Sequence, residues 1–203
     1  MAAWRNKKSL SPIVPEALRG NRVAWATFGW GAAANYALTT ILFALPLTLG
    51  QSPTTAGIAL LPMTLIMAFN PLLTGKIIAK RGPGLPIRLG LLALTLGTGL
   101  LVVSFAYAAQ PVVLAAGLLV CGLGMSWTLP ALVAFAVSHI STSAAGSVGG
   151  IMNATRQVGA TVGAAAAAAF ITAQPQGGGT LIALGVAAIL GLLSAVSALV
   201  TKR

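Results

Sequence analysis

Long apolar stretches separated by short polar segments make up most of the chain. Six stretches are long enough to cross a bilayer as helices, at about 1.5 Å of rise per residue. Pro46 is expected to end the first, and Pro62 and Pro71 to kink the second, because proline removes an N–H and crowds the preceding turn. The six predicted spans are residues 23–45, 55–74, 85–107, 111–133, 144–172 and 180–200.

Composition supports a membrane protein. Hydrophobic residues make up 57% of the 203 residues and charged residues 6%, with a mean hydropathy of +0.94. A soluble domain carries about 25% charged residues. We therefore predict an all-α polytopic membrane protein with one transmembrane domain, residues 23–200.

The basic residues alternate with the predicted sides of the membrane. Five lie in residues 1–22, four in the predicted loop 75–88 and two in residues 201–203, while the first–second, third–fourth and fifth–sixth loops carry none. Because cytoplasmic loops are enriched in Lys and Arg, both termini are expected in the cytoplasm. The predicted location is the cell inner (plasma) membrane.

The net charge of +11 does not indicate a nucleic-acid-binding protein. The basic residues are scattered between apolar spans, without the aromatic residues on which bases stack. Contacts with lipid headgroups explain them better.

The sequence also lacks the residues of an enzyme. Glu16 is the only acidic side chain, His139 the only histidine and Cys121 the only cysteine, and no two of them share a predicted span. They cannot form a nucleophile–base set. We therefore expect no catalytic residues, no metal and no cofactor.

The fifth span is unusual for a membrane helix. Gly146 and Asn153 repeat at seven residues with Ala160 and Ala167, and Gly149 and Gly163 repeat with Arg156 in the same way. These positions are predicted to form one small, polar helix face, which lets another helix approach closely. A charge at the bilayer centre costs at least about 2.5–3.5 kcal/mol, so Arg156 must find water, a partner or a carbonyl.

Three segments resemble a known family. AGIALLP (56–62), GKIIAKRG (75–82) and AGSVGGIMNATRQVGATVGAA (145–165) are similar to the drug:proton antiporters of the major facilitator superfamily. The 14-span multidrug efflux proteins of bacteria are the branch they resemble most. The similarity covers nearly all of residues 20–200 and matches the last six helices of such a protein.

The resemblance implies a fold and a cavity. It implies two six-helix halves around a central cavity, each half built from two inverted three-helix repeats. The first, second, fourth and fifth helices of a half line the cavity in this family, and seven unusual polar and aromatic residues of this chain fall on those four. The substrate-cavity candidates are Arg156, Asn153, Gln157, Asn35, Tyr36, Asn70 and Trp127.

Each candidate residue could instead have a purely structural role. Arg156 could instead bond helix-end or kink carbonyls and hold two helices together. Asn153 and Gln157 could join helices, Tyr36 and Trp127 could be core residues, and Asn70 could mark a kink or hinge.

The family's loop after the second helix has the form Gly-x-x-x-Asp-Arg-x-Gly and acts as a conformational latch. Here Gly75, Arg81 and Gly82 are kept as a conformational loop, but Ala79 stands in the position of the acid. We expect this latch to be incomplete.

The chain has six predicted spans and no membrane-embedded acid, whereas the family's proton-carrying acids lie mostly in the first half. We therefore interpret it as the C-terminal half of a proton-coupled multidrug efflux carrier. Its expected partners are the bilayer, an N-terminal half or a homodimer partner, and a hydrophobic small-molecule substrate. The alternative is a truncated, non-transporting remnant or a membrane assembly module that pairs with a partner half.

Overall fold

The computed structural model describes residues 20–49, 52–107, 110–138, 145–174 and 177–201, and this part of the chain is helical with short connections. The predicted all-α fold is confirmed. His139 and most of the basic N-terminal segment lie outside the described residues. The helices are α1 (Arg22–Leu49), α2 (Pro53–Phe69), α3 (Pro71–Arg81), α4 (Gly84–Ala106), α5 (Pro111–Ser138), α6 (Ala145–Ala173) and α7 (Gly178–Val200).

Local sequence explains where the first two helices begin. The Asn21 side-chain oxygen accepts a hydrogen bond from the Ala24 N–H at 3.1 Å, which caps α1. The Ser52 hydroxyl accepts one from the Thr55 N–H at 3.3 Å, and Pro53 occupies the first turn of α2. Both are side-chain caps for N–H groups that the helix itself cannot satisfy.

The prediction that α1 ends at Pro46 is wrong, because the helix continues to Leu49 with Pro46 inside it. Pro46 removes only the hydrogen bond to the carbonyl four residues earlier, and the helix continues past it. The Thr48 hydroxyl donates to Ala44 O at 2.7 Å and also bonds the Thr180 hydroxyl of α7. The last turn of α1 is thereby attached to another helix.

The second predicted span is a bent pair of helices, α2 and α3. They meet at Asn70 with a 42° bend, as the Asn70-Pro71 sequence predicts, whereas Pro62 lies inside α2 without ending it. The predicted loop 75–88 is wrong: helix α3 runs to Arg81, and Gly82 and Pro83 alone connect it to α4. Lys80 and Arg81 favour this extension, since cations stabilise a helix C-terminus.

The helices pack in a specific pattern. Helix α1 packs against α6 and α7, α5 against α2, α3 and α4, and α4 also against α7. Glycines allow the closest approach: a Cβ on Gly124 of α5 would lie 2.6 Å from the Leu94 nitrogen of α4. Close backbone contact of this kind is how membrane helices associate without a hydrophobic driving force.

The exposed surfaces of the helices differ in chemistry. By length and composition, α1, α4, α5 and α7 can each cross a membrane, and α2 with α3 forms a fifth candidate span. The 29 residues of α6 are long enough but are not among these apolar spans. Helix α7 presents aliphatic side chains outward, among them Ile189 and Leu193, which are 60% and 61% exposed.

Candidate functional site

Helix α6 meets α1 through small residues and threonines. A Cβ on Gly163 would lie 2.5 Å from both Tyr36 O and the Thr39 hydroxyl, so the backbones touch there. The Thr39 hydroxyl donates to Ala160 O at 2.9 Å, and the Thr40 hydroxyl donates to Gly163 O at 3.3 Å. The contact is a close glycine interface bridged by two interhelical hydrogen bonds.

The seven-residue repeat of α6 is covered along only part of its length. Gly146 and Asn153 are exposed, while Ala167, in the same series, is buried. Gly149 and Ala167 are five full turns apart and so lie on the same side of an α-helix with 3.6 residues per turn, yet Gly149 borders open space. The C-terminal members of the predicted face therefore pack inside the bundle, while its N-terminal members face outward.

Arg156 lies at the border between these two parts of α6 and is half-buried. Its aliphatic stem lies beside α1, where a Cβ on Gly31 would be 3.2 Å from Arg156 Cγ. Its Nε is buried and has no hydrogen-bond partner among the described residues. On the same stretch of α1, the Gly31 carbonyl accepts a hydrogen bond from the Asn35 side-chain nitrogen at 3.0 Å.

The outward side of α6 carries small and polar residues beside two valines. Asn153 and Gln157 are exposed, and so is Thr161, whose hydroxyl bonds back to Gln157 O at 2.9 Å. Val158 and Val162 on the same helix are 62% and 52% exposed. Around Gly146, Gly149 and Gly150 there is open space. We call this surface the open face of α6; it comprises Gly146, Gly149, Gly150, Asn153, Gln157 and Thr161.

The other candidates occupy different environments. Asn35 and Tyr36 are buried on α1, and Tyr36 lies against Gly163 of α6. Trp127 of α5 is half-buried, and its Nε1 has no hydrogen-bond partner in the described part of the chain. The Thr128 hydroxyl, next to it on α5, is also buried without a partner among the described residues.

Asn70 joins the bend between α2 and α3 to α5. Its side-chain nitrogen donates to the Ser126 hydroxyl at 2.6 Å, and the Thr74 hydroxyl donates to Ser126 O at 3.1 Å. These bonds fix the bend against a neighbouring helix. A hinge at this point would have to break them.

The three residues of the predicted conformational loop are not all in a loop. Gly75 and Arg81 lie on α3, and Gly82 forms the connection with a φ of +75°, a conformation that favours glycine. Ala79, in the position of the family's acid, is exposed on α3. The segment is therefore a helix end followed by a tight turn.

Sequence reasoning missed Thr39, Thr40, Ser126 and Arg88. A threonine in a membrane helix usually bonds the carbonyl one turn earlier, so its sequence position does not reveal an interhelical bond. Arg88 donates from Nε to Ala198 O at 3.0 Å and from Nη2 to Thr201 O at 3.4 Å. Those carbonyls end α7, more than a hundred residues later in the chain.

Comparison with known proteins places these features in a family. The protein-family model described as "Major Facilitator Superfamily" matches residues 2–164. The chain is 32% identical over 114 residues to the multidrug resistance protein Stp of Mycobacterium tuberculosis, a match that covers 56% of this chain and 21% of that protein.

Two further relatives give similar matches. The chain is 30% identical to a probable actinorhodin transporter of Streptomyces coelicolor over 60% of this chain and 22% of that protein. It is 31% identical to the drug efflux pump JefA of M. tuberculosis over 56% of this chain and 22% of that protein. These matches thus cover about a fifth of the length of each relative.

Proposed function

The chain belongs to the Major Facilitator Superfamily, and from that premise we propose that it acts as the C-terminal six-helix half of a proton-coupled multidrug efflux carrier. The observation that carries this proposal is the open face of α6. That face would line the path of the substrate or adjoin the other half of the carrier.

The argument rests on what a bilayer tolerates. Asn153 and Gln157 are exposed on α6 beside Val158 and Val162, whereas the exposed side chains of α7 carry no amide and include Ile189 and Leu193. Amide groups turned toward hydrocarbon lack hydrogen-bond partners, which costs free energy. Water or protein must therefore cover the open face, and a transport pathway between two halves provides both.

Arg156 adds to this argument. Its Nε is buried and has no acceptor among the described residues, while the side chain as a whole is half-buried. A carboxylate of another half, water or a polar group of a substrate would supply this acceptor. We assign Arg156 to the border of the pathway, with Trp127 on α5 as a second unpaired donor.

The packing pattern supports two inverted repeats. The symmetry of such repeats makes the first helix of the half equivalent to the fourth, and the second helix equivalent to the fifth. The packing of α2 and α3 on α5 is then the counterpart of the packing of α6 on α1. Helices α4 and α7, the third members of the two repeats, also pack on each other.

The start of α1 and the end of α7 lie at the same end of the described bundle. Arg88 near the start of α4 bonds Thr201 after α7, and Asn21 before α1 lines the same cavity as Thr201. An even number of membrane crossings, such as six, requires this arrangement. The basic residues Arg81 and Arg88 at this end favour the cytoplasmic side of the plasma membrane.

We propose that the substrate is a hydrophobic small molecule, because relatives carry the names multidrug resistance protein and drug efflux pump. The proton-coupling acids would belong to the partner half, since Glu16 is the only acidic side chain of this chain. The partner is an N-terminal half or, in a homodimer, a second copy.

Thiol labelling in native membranes tests the proposed pathway. A water-soluble methanethiosulfonate reagent should label Asn153→Cys and Gln157→Cys, because the reacting thiolate needs water. Ile189→Cys on the aliphatic face of α7 is the matched control and should stay unlabelled. The native Cys121 is buried and should contribute little background.

Two results would contradict the pathway. One is equal labelling of Ile189→Cys and Gln157→Cys by the water-soluble reagent. The other is protection of both 153 and 157 from the reagent while a hydrocarbon-soluble thiol reagent modifies them, which would place α6 against lipid.

The second candidate function is a non-transporting remnant or assembly module that pairs with a partner half. Ala79 favours it, because this exposed position of α3 lacks the acid expected of the family's latch. Transport measured with a complementary half, described below, separates the two functions.

A further inference from the structure

A cavity of ≈ 580 Å³ opens at the end of the bundle that carries the basic residues. The start of α1, the α3–α4 connection and the ends of α5 and α7 surround it. Arg81, Arg88 and Asn21 line it on the polar side, and the partly exposed Ala24, Leu85 and Phe135 line it on the apolar side. Phe28, Trp30 and Ile87 also border it but are almost fully buried, so they offer it little surface. The cavity is therefore charged at its mouth and apolar in its depth.

Among the described residues, the mouth of the cavity has no negative counter-charge. Arg81 and Arg88 both line it, and the described part of the chain contains no acidic side chain. Arg88 is held in place by its bonds to Ala198 O and Thr201 O, which neutralise no charge. An anion is therefore the kind of ligand that this mouth favours.

The start of α4 adds to the positive potential of the cavity. Pro83, Gly84 and Leu85 line it, and no side chain caps this helix N-terminus. Unpaired N–H groups at a helix start favour an anion. The arginines and the N-terminus of α4 therefore both make the potential in the cavity more positive.

The dimensions of the cavity match the membrane interface. From Asn21 to Trp30 it follows α1 for nine residues, about 14 Å at 1.5 Å per residue. The polar region of one leaflet is about 5–8 Å thick. The cavity thus extends from headgroup depth into the hydrocarbon region, next to Trp25, which is 47% exposed as interfacial tryptophans are.

We propose that this cavity binds an anionic phospholipid, with the phosphate between Arg81 and Arg88 and the start of one acyl chain against the partly exposed Leu85 and Phe135. The volume accommodates a headgroup, the glycerol and part of one chain. A free phosphate ion would satisfy the arginines but leave the apolar interior unfilled. Basic pockets between membrane helices are suited to such headgroups.

The test is a thermal-shift titration of the full chain purified in a neutral detergent. Short-chain phosphatidylglycerol should raise the melting temperature in a saturable manner, because a ligand that binds the folded state stabilises it. Short-chain phosphatidylcholine and inorganic phosphate are the comparison ligands, and both should give a much smaller shift.

Arg81→Gln is the informative variant, because Arg81 is exposed and Arg88 also holds α7. The apparent dissociation constant for phosphatidylglycerol should rise about tenfold, the effect of losing one charge-assisted hydrogen bond of about 1.4 kcal/mol. Lys76→Gln removes an equal charge from the same helix outside the cavity lining and should retain the affinity.

A second variant tests the apolar interior. Ala24 lines the cavity, and Ala24→Phe should fill part of it and weaken lipid binding while both arginines remain. Native mass spectrometry of the folded variants gives bound lipid directly, independently of their stability.

Three outcomes would overturn the proposal. The first is no saturable response of the wild-type protein to phosphatidylglycerol. The second is equal loss in Arg81→Gln and Lys76→Gln, which would indicate diffuse surface charge. The third is equal stabilisation by inorganic phosphate, which would indicate an ion site. None of these bears on whether the chain takes part in transport.

Discussion

At the scale of the residue, identical residue types on one helix have opposite roles. Gly163 of α6 lies against the backbone of α1, while Gly150 of the same helix faces open space. The difference is invisible in the sequence, where both belong to a glycine-rich run. It follows from which side of α6 the bundle covers.

We expect Gly163→Ala to destabilise the isolated chain. The new Cβ would lie 2.5 Å from Tyr36 O and from the Thr39 hydroxyl, so α1 and α6 must separate. Overpacking of this kind costs about 1–3 kcal/mol. The measurement is the temperature at which the detergent-solubilised protein loses its monodisperse peak.

Gly150→Ala is the control for that experiment. It meets no atom within 4 Å and should leave the stability unchanged or slightly higher, since alanine is the better helix former. A fall in melting temperature as large as that of Gly163→Ala would contradict the assigned interface.

At the scale of the element, the bend between α2 and α3 depends on both backbone chemistry and a neighbouring helix. Pro71 interrupts the hydrogen bonding at Asn70, and Asn70 then bonds Ser126 of α5. Pro62 and Pro46, by contrast, lie within helices that continue past them. A proline in a membrane helix thus permits a bend without requiring one.

A double-mutant cycle tests the contact at the bend. Asn70→Ala and Ser126→Ala should each destabilise the protein by about 0.6–1.7 kcal/mol, the range for interhelical hydrogen bonds in membranes. The double variant should lose little more than either single variant, because both remove the same bond. The free energies of unfolding come from titration with a denaturing detergent.

Strict additivity of the two changes would show that Asn70 and Ser126 act separately. The Thr64→Ala change on the exposed side of α2 is a suitable control, since its hydroxyl bonds carbonyls of its own helix.

At the scale of the whole molecule, the described helices leave the open face of α6 uncovered and the Nε of Arg156 without a partner. A complete carrier of this superfamily would cover the open face of α6 and offer an acceptor to Arg156. The proposed half-carrier and the remnant therefore differ in what happens when a second half is supplied.

Co-expression with a complementary N-terminal half should restore dye efflux in cells that lack other pumps. Arg156→Ala should lower the efflux rate about tenfold, if the guanidinium makes a charge-assisted contact worth about 1.4 kcal/mol. Arg156→Lys keeps the charge and should retain part of the rate. Equal membrane levels of the variants are checked by blotting.

Efflux that is unaffected by Arg156→Ala would remove the proposed role of that residue. A stable complex of the two halves without efflux would instead favour the assembly module.

The apolar spans, the all-α class and the family resemblance followed from the sequence, because hydrophobic length and residue type are properties of each segment alone. The helix end at Pro46 and the loop at 75–88 were predicted wrongly, since local breaker rules ignore that a helix can continue past one missing hydrogen bond and that helix-end charges can stabilise its last turn. The sequence identified the candidate polar residues but not which residues would surround them.

Tertiary structure alone decided which face of α6 is covered, which glycines are in contact, and that Arg81 and Arg88 share a cavity with the end of α7. These facts depend on the rotation of each helix and on contacts between distant residues. A sequence pattern of fixed period specifies one side of a helix, but not how much of its length a neighbouring helix covers, as Gly149 and Ala167 of α6 show.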